Sequence, residues 1–126
     1  MSLRIFLVED DSEDCELFQA ALNEIDPSIQ IECRSDCVDF VEKLEEFKPD
    51  LILLDLKMPH MDGAEALKEI RSHEWGKNIP VIILTNLGEE EAPKSLRTLG
   101  IHSYIVKADL TPRQVVGRAK EALGIA

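Results

Sequence analysis

The chain is poor in positive charge. Lys and Arg number 14 against 25 Asp and Glu, a formal net charge of −11 over 126 residues. A surface that acidic repels phosphate backbones and anionic lipid, which argues against general nucleic-acid or membrane-surface binding. No apolar run approaches the ~20 residues of a membrane span. Met1 to Val8 lacks the long apolar stretch of a secretory signal. Cysteine is scarce, with only Cys15, Cys33 and Cys37. An odd, low count makes a poor disulfide framework and fits a reducing cytoplasm. No second pair at zinc spacing accompanies Cys33 and Cys37. All three cysteines are therefore read as small core or near-surface residues. Internal repeats, low-complexity runs and linkers are absent. So are the G-x-G-x-x-G and Walker A strings, and nucleotide binding lacks support.

What is there is a regular alternation. Hydrophobic residues make up 44% of the chain, enough for one sizeable core. Arg4 to Val8 reads as a strand. Ser12 to Ile25 reads as a helix with Cys15, Phe18, Leu22 and Ile25 on one face. Ile29 to Cys33 alternates as a half-exposed edge strand does. Asp36 suits the cap of a second helix that turns Val41 and Leu44 inward. Leu51 to Leu54 (LILL) and Val81 to Leu84 (VIIL) are apolar on both faces, as central parallel strands are. Between them a helix runs from Ala64 to about His73 with Ala66, Leu67 and Ile70 inward. A fourth helix starts near Pro93 and ends at Gly100. Ser103 to Val106 is the fifth strand. Thr111, Pro112 and Gln114 mark the start of the last helix, and Gly124 its end. The order is (βα)5, an α/β doubly wound parallel sheet. The edge-like second strand predicts the flavodoxin-like order 2-1-3-4-5, with a site at the carboxyl ends of the first and third strands.

The polar residues gather at those ends. Glu9, Asp10 and Asp11 follow the first strand, Asp55 the third, Thr85 the fourth and Lys107 the fifth. Converging carboxylates Glu9, Asp10 and Asp55 repel one another and call for a hard cation such as Mg²⁺. Lys107 can be an ordinary ion pair. It can equally, with Mg²⁺ and a hydrogen bond from Thr85, neutralise a phosphoryl group. Asp55, after the most central strand, is then the natural nucleophile, forming an aspartyl phosphate.

At this point the chain resembles the receiver domain of a two-component response regulator, of the CheY type. The resemblance rests on VED (Val8 to Asp10), LILLDLKMPHMDG (Leu51 to Gly63), VIILT (Val81 to Thr85) and SYIVK (Ser103 to Lys107), in order over essentially the whole chain. It implies Asp55 as phosphoacceptor. It implies Asp10, Asp55 and the backbone carbonyl of Lys57 as Mg²⁺ ligands, with Glu9 acting mainly through water. Thr85 and Lys107 would contact the phosphoryl group, and Tyr104 would swing inward when Thr85 moves. Pro59 and Gly63 would shape the loop. The implied donor is a phosphohistidine on a sensor histidine kinase or histidine phosphotransfer protein. The implied output is a downstream protein bound on the face of the fourth helix, fifth strand and fifth helix. Such a chain is a cytoplasmic switch that catalyses its own phosphorylation and dephosphorylation, not an ordinary enzyme. The rival is a phosphate-independent pseudo-receiver that keeps the fold without switching.

Three departures from the family pattern stand out. Ala108 follows Lys107 where proline is usual, so that bond is either strained cis or part of a rebuilt loop. Asn86 follows Thr85 where a small residue is usual. Lys57 and Leu87 occupy positions that tune phosphoryl lifetime. Crowding by Asn86 and Leu87, with no carboxylate to orient water, predicts slow self-dephosphorylation. A calcium loop over Glu9 to Asp14 fails because Cys15 stands where the turn glycine belongs. A haloacid-dehalogenase phosphatase would need a second Asp where Lys57 stands. His60, His73 and His102 are read as solvent-facing or structural. The (βα)5 unit consumes nearly all of residues 1–126, so the expectation is a single receiver domain with no output domain, either a single-domain regulator acting through protein contacts or a receiver cut from a longer chain; the charge of −11 disfavours DNA as the direct target.

Overall fold

Every residue of the LILL strand and of the run Val81–Thr85 is buried, because helices cover both faces of the sheet. The computed structural model describes residues 3–9, 11–34, 40–56, 62–92 and 94–124. Asp10, Asp36, Cys37, Lys57, Pro59, His60 and Pro93, singled out above, lie outside the described residues. In chain order the elements are β1 (Arg4–Val8), α1 (Ser12–Ile25), β2 (Gln30–Arg34), α2 (Phe40–Phe47), β3 (Leu51–Leu54), α3 (Gly63–Arg71), β4 (Val81–Thr85), α4 (Ser95–Leu99), β5 (Ser103–Val106) and α5 (Pro112–Ala122). The five strands are parallel in the order β2-β1-β3-β4-β5. The flavodoxin-like reading of the sequence is thus the observed architecture.

Alternation along each strand divides the core into two layers. Ile5, Leu7, Leu51, Leu53, Ile82 and Leu84 pack with α1 and α5 on one face. Phe6, Val8, Ile52, Leu54, Val81 and Ile83 pack with α2, α3 and α4 on the other. At roughly 1.5–3 kcal/mol for each fully buried aliphatic or aromatic side chain, these layers are the main stabilising term. Among the described residues no helix is long and apolar enough to cross a membrane.

Helix starts follow from the capping residues. Asp11 accepts backbone N–H groups of Glu13 and Asp14 to start α1, and Asp62 accepts that of Ala64 to start α3. Thr111 and Gln114 form the expected reciprocal box at α5. The fourth helix is shorter than its sequence suggests. Glu89–Glu91 form a separate 3-10 turn, and α4 proper begins at Ser95. Gly100 ends it with φ +91, a conformation that favours glycine.

Arg71 ties the opposite end of the sheet together. Its guanidinium donates to the carbonyls of Leu99 (3.2 Å), Gly76 (2.6 Å), Ile79 (2.8 Å) and Gly100 (2.8 Å). Gly76 is buried, and a Cβ there would overlap the Ile70 carbonyl oxygen. Relief needs backbone movement, so Gly76→Ala should destabilise by roughly 3 kcal/mol, the upper end of overpacking costs. Urea denaturation of the variant checks this; an unchanged midpoint would show that the α3–β4 connection yields freely.

Candidate functional site

The register of the sheet places two acids side by side. Val8 stands opposite Leu54, and the Asp55 N–H donates to the Val8 carbonyl at 3.0 Å. On the other side the Glu9 N–H donates to the Arg34 carbonyl at 2.9 Å. Glu9 and Asp55 therefore sit together just past the sheet edge, where the chain reverses between β1 and β3. They are almost fully buried, at 1% and 4% exposed.

Lys107, just after β5, reaches back to them. Its ammonium pairs with Glu9 and lies 3.2 Å from Asp14 and 3.4 Å from Asp55. Asp14 is the partner that sequence reasoning missed. It lies in the first turn of α1 rather than at a strand end, so the strand-end rule could not find it. One ammonium against three carboxylates leaves negative charge in excess. The groups line a cleft of about 230 Å³, shared with Asp11, Thr85 and Asn86.

The acidic cluster shifts its own ionisation. Burial, and after it the Asp55 charge, push the Glu9 carboxyl up to about 7 despite the opposing hydrogen bond and charge of Lys107. Glu9 in turn helps hold the Lys107 ammonium above its ordinary value against desolvation. A carboxyl raised above its ordinary 4.5 binds an extra proton in the native state. Stability in metal-free buffer should therefore fall as pH rises from about 5 to about 8. Urea midpoints across that range check the sign; a rising profile would contradict it.

Thr85 is fully buried at the end of β4, and its Oγ accepts the Leu87 N–H at 3.3 Å. Tyr104 is partly buried on β5 and its hydroxyl donates to the Leu87 carbonyl at 2.8 Å. The main chain of Leu87 thus connects the two side chains that the resemblance paired. Gly63 opens α3 directly against the site. A Cβ there would come within 2.6 Å of both the Asp55 carbonyl oxygen and the Leu56 Cα. Asn86 is exposed at the cleft.

The donor set tests the expected metal. Two buried carboxylates, oxygen donors only, and uncompensated negative charge suit a hard divalent cation. Among the described residues no group of three His, Cys, Asp or Glu side chains is spaced to hold a metal ion. Asp10 and Lys57, the other expected ligands, lie outside the described residues.

One open alternative is decided and one expectation changes. The bond after Lys107 is not cis, since the described residues contain no cis peptide bond. Lys107–Asp109 instead form a 3-10 turn, and Lys107 keeps its reach to Asp55. The cysteines are not all free, because Cys15 is bonded to Cys33. Residue alternation along β2 puts Cys33 on the face covered by α1, where Cys15 also points. A count of cysteines cannot show that.

The chain is similar to known proteins over most of its length. The response regulator receiver domain family matches residues 5–119. The chain is 42% identical over 90 residues to the chemotaxis protein CheY of Treponema pallidum, covering 70% of this chain and 60% of that protein. It resembles the phosphorylated cyanobacterial phytochrome response regulator RcpA at 32% identity and TM-score 0.81, covering 96% of this chain and 93% of the other. It also resembles the receiver domain of a sensor histidine kinase from Pseudomonas aeruginosa, crystallised with magnesium in its active-site cleft. There the identity is 25% and the TM-score 0.84, covering 98% of this chain and 99% of the other. The chain spans 60% or less of the length of curated relatives such as the Treponema protein and a cyclic di-GMP phosphodiesterase response regulator of Xanthomonas campestris. With its acids at the β1–β3 reversal and its sheet order both in place, the chain belongs to the response regulator receiver domain family of two-component systems.

Proposed function

We propose that the chain is a phosphorylation-dependent switch with Asp55 as phosphoacceptor. The observation that carries this is the buried Glu9–Asp55 pair bridged by Lys107, with the Thr85 hydroxyl at the next strand end. An Asp55 carboxylate oxygen attacks the phosphorus of a phosphohistidine, the P–N bond breaks, and the imidazole leaves. Lys107 and Thr85 would receive the phosphoryl oxygens. Glu9, Asp10, Asp55 and the Lys57 carbonyl would hold Mg²⁺, which supplies charge neutralisation at the phosphoryl group. The magnesium in the Pseudomonas relative and the phosphorylated state of the cyanobacterial one support this reading. Receiver domains are phosphoacceptor switches rather than ordinary enzymes, and the same is proposed here.

The output follows from the Leu87 connection. A phosphoryl group at Asp55 draws the Thr85 hydroxyl away from Leu87, and the Tyr104 contact with the same residue is then disturbed. The fourth-helix, fifth-strand and fifth-helix face would report the change to a protein partner. It carries a groove of about 400 Å³ that includes Leu96, Ile101 and Tyr104. The donor would be a sensor histidine kinase or a histidine phosphotransfer protein.

The test is incubation with Mg²⁺ and acetyl phosphate, read by intact mass and peptide mapping. A gain of one phosphoryl group on the Asp55 peptide supports the switch. No gain, and no change in Tyr104 fluorescence with beryllofluoride, would instead make the chain a phosphate-independent pseudo-receiver. After donor removal the phosphoryl group should persist well beyond seconds, because Asn86 lines the cleft and offers no base for water. Mg²⁺ should also flatten the fall of stability with pH described above, since a bound cation favours ionised Glu9.

A further inference from the structure

Cys15 and Cys33 are joined with their Cα atoms 6.2 Å apart. Cys15 is in the first turn of α1, next to Asp14, which contacts Lys107. Cys33 is near the end of edge strand β2, next to Arg34, whose carbonyl receives the Glu9 N–H. The bond therefore links the helix that carries Asp14 to the strand that holds the main chain of Glu9.

We propose that Cys15 and Cys33 are a reversible thiol–disulfide couple that fastens the start of α1 to β2 when oxidised and frees it, still folded, when reduced. The reduced state has a partner waiting. The Cys15 Sγ lies 3.7 Å from the Glu9 carbonyl oxygen. A thiol can donate to that oxygen, whereas a disulfide sulfur cannot. Reagents have a route, because Cys33 is only partly buried and β2 has a strand neighbour on one side alone. The fold does not depend on the bond. β2 is registered on β1 along its whole length, from Arg4–Gln30 to Val8–Arg34, and the core layers are large. The inference stands independently of phosphoryl transfer.

The oxidant is a low-molecular-weight disulfide such as glutathione disulfide. The Cys33 thiolate attacks it, its S–S bond breaks, and one glutathione leaves as a thiol. The Cys15 thiolate then attacks the Cys33 sulfur of the mixed disulfide and releases the second glutathione. The two cysteine protons end on the two glutathione thiols, and two electrons pass to the oxidant.

The experiment equilibrates the full chain in buffers of varied reduced-to-oxidised glutathione ratio, quenches with acid and labels with N-ethylmaleimide. In the oxidising limit the chain should carry one label, on Cys37, and yield a linked Cys15–Cys33 peptide. In the reducing limit it should carry a label on each of its three cysteines. A cooperative urea transition should persist in both limits, with the oxidised midpoint higher by about 1–2 M. Cys33→Ser should abolish the protected pair and Cys37→Ser should keep it. Full labelling at every ratio, a link through Cys37, a stable glutathione adduct, equal midpoints, or loss of the cooperative transition on reduction would each overturn the proposal.

Discussion

Asp55→Asn protein incubated with Mg²⁺ and acetyl phosphate gains no phosphoryl mass, while the wild-type chain gains one group. The amide keeps the size of the side chain but removes the anionic oxygen that attacks phosphorus. The variant should stay folded, and its stability profile checks this. Asp55 is one of the charges that push the Glu9 carboxyl up. Removing it lowers Glu9 toward its ordinary range and leaves Lys107 with Glu9 as its main partner. At pH 8 in metal-free buffer the variant should be more stable than wild type by about 1 kcal/mol, on the basis that one pKa unit is worth roughly 1.4 kcal/mol. The fall of stability between about pH 5 and about pH 8 should shrink. A variant that still takes up phosphoryl mass would move the acceptor to another residue. One less stable at pH 8 would show that Asp55 is not repelling Glu9.

Lys107→Met has the second large effect, and it appears in two readouts. Lys107 is the ammonium shared by Glu9, Asp14 and Asp55. Without it, Glu9 is buried with no cation beside it, and breaking a buried pair from one side costs roughly 3–5 kcal/mol. The loss should reach about 3 kcal/mol at pH 8 without metal, where Glu9 would be most ionised. It should shrink near pH 5, where a protonated Glu9 leaves less charge to neutralise. The phosphoryl-transfer rate should fall on the order of 100-fold, the scale of losing one positioned donor at a developing charge. Urea melts across pH and acetyl-phosphate kinetics check the two halves separately. A stability loss of the same size at both pH values would assign Lys107 a packing role instead.

Legibility in the sequence tracked how far each contact reaches. LILL and VIIL declared central strands because burial on both faces leaves no polar position to misread. Thr111 and Gln114 declared a helix start because their partners lie within one turn. Glu9, Asp55, Thr85 and Lys107 were legible as a group because topology, not contact, gathers strand ends. Contacts between distant surfaces were not legible. Asp14 meets Lys107 across 93 positions of sequence. The Cys15–Cys33 bond joins a helix turn to an edge strand. Gly76 looks like any loop glycine until the Ile70 carbonyl is placed beside it. Ala108 pointed correctly to an altered loop, but only the 3-10 turn shows that Lys107 keeps its reach.

Arg71 has a consequence for where motion can occur. The four carbonyls it binds belong to the segments that lead into β4 and β5. These two strands are thereby rooted at their amino ends, while their carboxyl ends carry Thr85 and Lys107. Displacement of Thr85 is thereby confined to the carboxyl end of β4 and the turn beyond it, rather than passed along the whole strand. Arg71 makes the sheet a cantilever, tied at one end and carrying its chemistry at the other.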